Sequence, residues 1–419
     1  VSIGYACLTM GVSNTQLRSC IKKNAQESNL LEIIEHNLGV LDNILEYNQK
    51  NHIKLFRISS DLIPFGSAPI NNIPWWEIFS DRFEQLGSKI RSYHMRVSMH
   101  PGQYTVLNSP KEEVVLRAID DLTYHTKVLD CLGMGKEHKI VLHIGGVYHD
   151  KEESIHRFIR NYLTLKQHIK NRLVIENDDK SYNISEVLRI GKILNIPVIF
   201  DNLHNKINSG LENINEFEWI EECKKLWKKE DGKQKIHYSQ QNVFKSKGSH
   251  SDTIEIREFM DFYKRLNRND IDIMLEVKDK NLSAVKCINC TSKRKEKFAL
   301  IQEWNKYKYT ILEKSPIQFE QIIHILEESK ECLPVSFYCL IQEGMNMEPK
   351  KENMVNAAQD IWYCYFREIV TDKEQKNFFE NINKLQNGEI KIARVKKDLM
   401  KLAEKYQSSL LLNSYYFYL

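Results

Sequence analysis

The stretch 139–177, KIVLHIGGVYHDKEESIHRFIRNYLTLKQHIKNRLVIEN, decides the fold. It opens on a β-rich run (139–144, KIVLHI) and turns through Gly145 and Gly146. It continues with helical periodicity over 151–170 and closes on a second β-rich run (172–177, RLVIEN). A strand, a helical crossover and a second strand imply parallel pairing. The same alternation continues in both directions. Upstream, 2–8 (SIGYACL), 55–60 (LFRISS) and 96–100 (RVSMH) read as strands. Downstream, 197–201 (PVIFD), 235–239 (KIHYS) and 271–277 (IDIMLEV) do the same. Segment 111–132 carries Val114, Val115, Ala118, Ile119, Leu122, Val128 and Leu129 at helical spacing, introduced by Ser109-Pro110. Eight strand–helix units in just under 300 residues match a (β/α)₈ TIM barrel, which takes about 250 residues.

Beyond residue 290 the pattern changes. The run 291–298 (TSKRKEKF) is basic and linker-like. From 299 to 419 the periodicity is helical, with aromatic clusters such as EWNKYKY and SYYFYL. The expected organisation is therefore a barrel over 1–290 and a smaller all-α C-terminal domain over 291–419. The tail's basic and aromatic content suits either nucleic-acid binding or helix packing around core aromatics.

Of 419 residues, 42% are apolar and 28% charged, the profile of a soluble globular chain. The net charge of +4 is compatible with a polyanionic partner. No apolar run approaches the ~20 residues of a membrane span, and the first residues lack the basic start of a signal peptide. Position 1 is Val, so one or more residues are expected to precede it. The nine scattered cysteines suit reduced thiols in a cytosol. Cys287 and Cys290 form a lone CxxC without the second pair of a zinc ribbon, and read as structural.

In a TIM barrel the chemistry sits at the C-terminal ends of the strands. Those ends carry Tyr5, Arg57, His100, His143, Glu176, Asp201 with His204, Lys235 with His237, and Glu276; His250 follows on the seventh loop. Three carboxylates converging in one place repel each other and are costly to bury without cations. Divalent metal solves that problem. Imidazole plus carboxylate suits Zn²⁺ or Mn²⁺ better than Mg²⁺ or Ca²⁺. Paired ions are a standard device for attack on phosphorus, and Glu176 is placed to bridge two of them. Arg57, Lys151, Lys180, Lys278 and Lys280 flank the strand ends as candidate phosphate binders, and Gly145-Gly146 would let backbone approach substrate.

The blocks GYAC, FRISSDLIPFGS, SMHPGQYTVLNSP, DLTYHTKVLD, LHIGGVYHDK, IENDDKSY, FDNLHN and MLEVKDK, in this order over about 1–285, resemble the UV damage endonucleases, metal-dependent DNA-repair enzymes. The resemblance implies a TIM barrel and a trinuclear site. His100, His143 and Glu176 would hold one ion. Glu176, Asp201, His237 and Glu276 would hold a second, and His204 with His250 a third. Mn²⁺ is the implied ion, with Zn²⁺ and Mg²⁺ as alternatives. Lys235 matches a lysine described as carboxylated, so Glu176, Lys235, His237 and Glu276 are the implied catalytic group. Gln103 and Tyr104 match a pair that pushes into the duplex at the lesion, and Tyr5 a tyrosine of the damage pocket. The implied reaction cuts double-stranded DNA immediately 5′ to cyclobutane dimers and 6-4 photoproducts, leaving 3′-hydroxyl and 5′-phosphate ends.

Three positions depart from the family pattern. Ala68 stands where histidine is frequent, Thr9 lies where some members carry asparagine near the pocket tyrosine, and His149 replaces a common glycine. They leave the choice of lesion open. The other readings are an abasic-site nuclease of the endonuclease IV type, and a metal-dependent sugar isomerase. A monomer in the cytoplasm, associated with the nucleoid, is expected. The tail resembles a small domain of unknown function.

Overall fold

The structure is a computed structural model and describes residues 1–210, 214–293, 297–328 and 333–419. The chain forms two compact units. The first comprises Val1–Thr9, Asn14–Ile254 and Tyr263–Val285. Its strands are β1 (Ser2–Ala6), β2 (Leu55–Arg57), β3 (Arg96–Ser98), β4 (Ile140–His143), β5 (Leu173–Glu176), β6 (Val198–Ile199), β7 (Gln234–Tyr238) and β8 (Ile271–Leu275). Every ladder among them is parallel.

One sheet runs β3-β2-β1-β8-β7 and a second runs β4-β5-β6. Single parallel bridges, Met99 to Ile140 and Asp201 to His237, stand between the two sheets. The strands are buried along almost their whole length, as expected where helices cover a parallel sheet. This is a TIM-barrel-like α/β fold. Its register matters for the site, because β4 and β5 pair so that His143 lies directly opposite Glu176.

The strands end earlier than their apolar runs suggest. β2 stops at Arg57 because Ser59 caps a short 3₁₀ turn, its hydroxyl accepting from Asp61 N–H at 3.2 Å. The helix expected over 151–170 divides into Lys151–Thr164 and Gln167–Lys170. Leu165 and Lys166 are extended there, and Leu165 is buried. Helix Ile184–Leu194 has a complete capping box from Asn183 and Glu186 and ends on left-handed Asn195.

The second unit comprises Met10–Ser13, Glu255–Phe262 and Lys286–Leu419. Two of its segments thus come from the first 290 residues. Within the basic run 291–298, residues 294–296 lie outside the described residues; Thr291 ends one helix and Lys297 starts the next. The region beyond is helical: Lys297–Lys314, Pro316–Glu328, Pro334–Met345, Lys351–Tyr365, Asp372–Gln386 and Ile392–Lys405. Its aromatics form a core. Trp362 stacks on Phe378 with centroids 4.2 Å apart and planes 7° from parallel, and Tyr309, Phe366 and Tyr416 are buried with them. Those rings are therefore not presented to nucleic-acid bases. Cys287 and Cys290 are buried one turn apart on helix Asn281–Thr291. Neither joins a metal-binding group among the described residues.

Candidate metal centre

The strand-end histidines and carboxylates come together around Glu176, which is the last residue of β5 and is buried. His100 Nε2 lies 3.3 Å and His143 Nε2 3.7 Å from Glu176 Oε2. His237 Nδ1 is 2.6 Å from Glu176 Oε1, and 3.2 Å from Glu276 Oε1. His204 Nδ1 lies 3.9 Å from Glu176 Oε1 and 3.7 Å from Asp201 Oδ1. Three donor sets follow among the described residues: His100, His143 and Glu176; Glu176, Asp201 and His204; Glu176, His237 and Glu276. Within each set the ligand atoms lie within 4.8 Å of one another. His250 belongs to none of the three, but its ring is 6.4 Å from that of His204.

Four polar atoms in this cluster are buried with no hydrogen-bond partner: Glu176 Oε2, Asp201 Oδ2 and His143 Nδ1 on ligand side chains, and Arg57 Nε beside them. Orphaned carboxylate oxygens in the interior are costly, and cations satisfy them. The donor set of imidazoles and carboxylates therefore fits divalent metal.

The electrostatics agree. Burial opposes charge on Glu176, yet the His237 and His143 imidazoles hold it well below the usual carboxylate range. Burial also works against Glu276, which Arg57 and His237 keep ionised. Asp201 is raised by burial. His100 is pushed down to about 4 by burial, against the pull of Glu176. Burial lowers His204 too, but Asp201, Glu176 and Glu276 outweigh it and lift the imidazole to about 9. Lys235 is only 1% exposed on β7, and burial, reinforced by the Arg96 and Arg57 charges, holds its amine well below the ordinary lysine range.

Arg57 sits inside the cluster. It is buried, ion-paired to Glu276, and its Nη2 donates to His237 Nε2 at 2.9 Å. That contact leaves His237 Nδ1 as the donor to Glu176. Tyr5 is fully buried, its hydroxyl 2.8 Å from Thr9 Oγ1 and donating to Asn48 Oδ1 at 2.9 Å. Thr9 thus occupies the phenol's hydrogen-bonding side. The lysines differ. Lys151 donates to Glu186 at 2.8 Å, and exposed Lys278 lies 3.5 Å from Asp252. Lys180 is exposed on the turn after β5 and Lys280 is half-buried after β8.

Gln103 and Tyr104 are the corners of a turn closed by Thr105 N–H to Gly102 O at 3.0 Å. Both are exposed, Tyr104 by 73%. A Cβ on Gly102 would stand 2.5 Å from the exposed Tyr104 ring, which would have to turn aside. The same loop begins on His100, whose Nδ1 is 3.0 Å from Pro101 O.

Three supporting residues, Asn177, Asn108 and Tyr182, escaped the reading of strand ends. Asn177 is buried and clamps Asp201: Oδ1 accepts Asp201 N–H at 2.9 Å, and Nδ2 donates to Asp201 O at 3.1 Å. Its carbonyl also accepts from His204 Nδ1 at 2.9 Å. Asn108 and Tyr182 both donate to Gly146 O, at 2.7 and 3.0 Å, and so fix the glycine pair after β4.

Fold and site together define a TIM-barrel-like α/β protein whose strand ends carry a cluster able to hold metal ions. The chain belongs to the UV-endonuclease UvdE family, whose model matches residues 1–305. Residues 308–419 match a protein family of unknown function, DUF1722. The UV DNA damage endonuclease of Clostridium perfringens is 39% identical over 396 residues, 94% of each chain. That of Bacillus mycoides is 35% identical over 271 residues, 64% of this chain and 84% of the relative. Among solved structures, SacUVDE is 38% identical and covers 69% of this chain and 97% of its own, with a TM-score of 0.66.

Proposed function

We propose that this chain is a DNA-repair endonuclease acting on UV-damaged double-stranded DNA. It cuts the backbone immediately 5′ to cyclobutane dimers and 6-4 photoproducts and leaves 3′-hydroxyl and 5′-phosphate ends. The observation that carries the reading is the set of orphaned, buried ligand atoms on Glu176, Asp201 and His143, in a chain of the UvdE family. The bridges at Met99 and Asp201 support closure of the eight strands into one (β/α)₈ barrel.

Three divalent ions, Mn²⁺ by preference, are proposed for the cluster. His100 and His143 would share one with Glu176; Asp201, His237 and Glu276 would share a second with it; His204 and His250 would hold the third. Such ions supply activated water and charge compensation at the phosphorus oxygens.

The chain's own groups do the rest. Arg57 holds Glu276 in place, while its contact with His237 would give way to an ion held by that imidazole, and Asn177 fixes the backbone of Asp201 and the ring of His204. Carboxylation of Lys235 would place an anion among the Arg57 and Arg96 charges and needs the uncharged amine that burial favours. Gln103 and Tyr104 are carried out on their turn toward the bases. A photoproduct stacks and pairs poorly, so it is extruded at lower cost than normal bases. The inserted pair would then fill the gap.

Incision of a photoproduct duplex, an abasic duplex and an undamaged duplex with Mn²⁺ tests the reading. Cleavage 5′ to the photoproduct is expected, and Glu176→Gln should lose both incision and bound metal. Equal cutting of all three duplexes, or preference for the abasic one, would defeat it.

A further inference from the structure

We propose that the loop between β7 and helix Ile256–Leu266 carries a second DNA-contacting wedge, with Phe244 at its tip. The proposal rests on the endonuclease reading above. Phe244 is 95% exposed and its neighbour Val243 81%. Single exposed apolar residues are ordinary on protein surfaces. An adjacent pair at the tip of an ordered loop is a different matter, because the fold gains nothing from either side chain.

The loop is ordered without them. Asn242 N–H donates to Ser249 O at 2.8 Å, and Gly248 N–H to Gln241 Oε1 at 2.8 Å. Gln241 Nε2 donates to Ser246 O at 3.1 Å, and Gln241 bridges to His250. Asn242 Oδ1 accepts Phe244 N–H at 3.0 Å and sets the backbone of the tip. The polar side chains thus build a frame that holds an aromatic ring out in water.

Placement and charge choose the partner. The loop leaves the C-terminal end of β7, and His250, further along it, has its ring 6.4 Å from that of His204. Gly248 rests on the loop after β5, where a Cβ would meet Asp179 Oδ2 at 2.9 Å. The tip therefore rises from the same strand ends as the donor cluster. Tyr104, 73% exposed, follows β3, and β3 and β7 are the two outer strands of the five-stranded sheet. Two exposed aromatics thus stand on loops from opposite edges of that sheet.

Lys245 and Lys247 follow Phe244 directly, and Lys278 shares Asp252 with Lys245. An apolar ring with cationic shoulders matches a polyanion that offers flat faces for stacking. DNA has both, whereas an apolar protein surface would make no use of the lysines. Tyr104 would serve the lesion, and Phe244 would stack on a base exposed by the kink.

The test uses the full chain with Mn²⁺ and a fluorescent photoproduct duplex. Phe244→Ala should weaken binding about tenfold, and Phe244→Trp should restore it to within about twofold of wild type. Metal content and thermal midpoint should not move in either variant, since the side chain packs on nothing. Wild-type incision with Phe244→Ala binding unchanged would overturn this proposal alone. Failure of tryptophan to restore binding would overturn it too, because the aromatic face would then be irrelevant. A wild-type protein that neither binds nor cuts the photoproduct duplex would overturn the endonuclease reading and this one with it.

Discussion

Asn177 offers the sharpest test of how the centre is held. Its amide makes two hydrogen bonds to the backbone of Asp201, at 2.9 and 3.1 Å, and both residues are fully buried. Asn177→Ala removes both of these bonds at once. The Asp201 carbonyl keeps the Asn205 N–H at 3.1 Å, but the Asp201 N–H is left buried without a partner, at a cost of about 1–3 kcal/mol. That cost falls on the junction of β6 with the short helix carrying His204. A water entering the vacated space would return part of it. Asn177→Leu fills the volume and admits no water, so it should be the worse variant although it is closer in size. Two measurements follow. Exchange of the Asp201 amide should quicken, by about thirtyfold for 2 kcal/mol of lost protection. Affinity for Mn²⁺ should fall about 10- to 100-fold, the usual effect of removing a group that orients a ligand. If leucine proved better tolerated than alanine, packing rather than hydrogen bonding would be holding Asp201, and the argument would fail. Unchanged Mn²⁺ affinity in both variants would show that the clamp has no bearing on the metal.

The remaining predictions concern the loop, the acid limit and the tail. Gln103→Ala with Tyr104→Ala should cut the preference for damaged over undamaged duplex about tenfold, with bound metal unaltered; a loss of metal instead would mean that the turn supports His100. His138 is buried beneath β3 and pushed down to about 4 by burial, so it is neutral when folded. Its stabilising effect is complete above the unfolded value near 6.5 and is lost as pH falls toward 4, by roughly 2 kcal/mol between pH 7 and pH 5. Thermal midpoints at those two pH values should therefore differ less in His138→Gln than in wild type. Truncation after residue 290 removes Tyr415, whose ring lies where a Cβ on Gly11 would stand at 2.7 Å. The shortened chain should melt at lower temperature, and an unchanged midpoint would show that 10–13 and 255–262 stand without the tail.

The parallel strands and the convergence of their ends were legible in the sequence for one reason. A parallel sheet covered by helices imposes two periodicities in alternation, and each strand end is then a defined address. His143 and Glu176 could be placed side by side before any coordinate, because both close strands of one β-α-β unit, and the register pairs them. The same logic located His100, Asp201, His237 and Glu276. It says nothing about direction or burial, however. Arg57 and the lysines look alike as cations near strand ends, yet Arg57 is enclosed with Glu276 and His237 while Lys180 lies in solvent. Charge type is written in the sequence; whether a partner waits in three dimensions is not.

The silence about Asn177 and Phe244 has two further causes. An amide carries no charge, so the search for groups that burial must compensate passes over it, although its two hydrogen bonds clamp the backbone of Asp201. An apolar residue in a loop is assumed to turn inward, so NVFKSKG gives no hint that Phe244 stands outside. Only the hydrogen bonds of the loop reveal that its shape does not depend on the ring. Ligand chemistry is thus read from what a residue can donate, and support or contact from what its surroundings leave unsatisfied. Glu176 meets both tests, which is why it is the residue on which the sequence and the structure agree most fully.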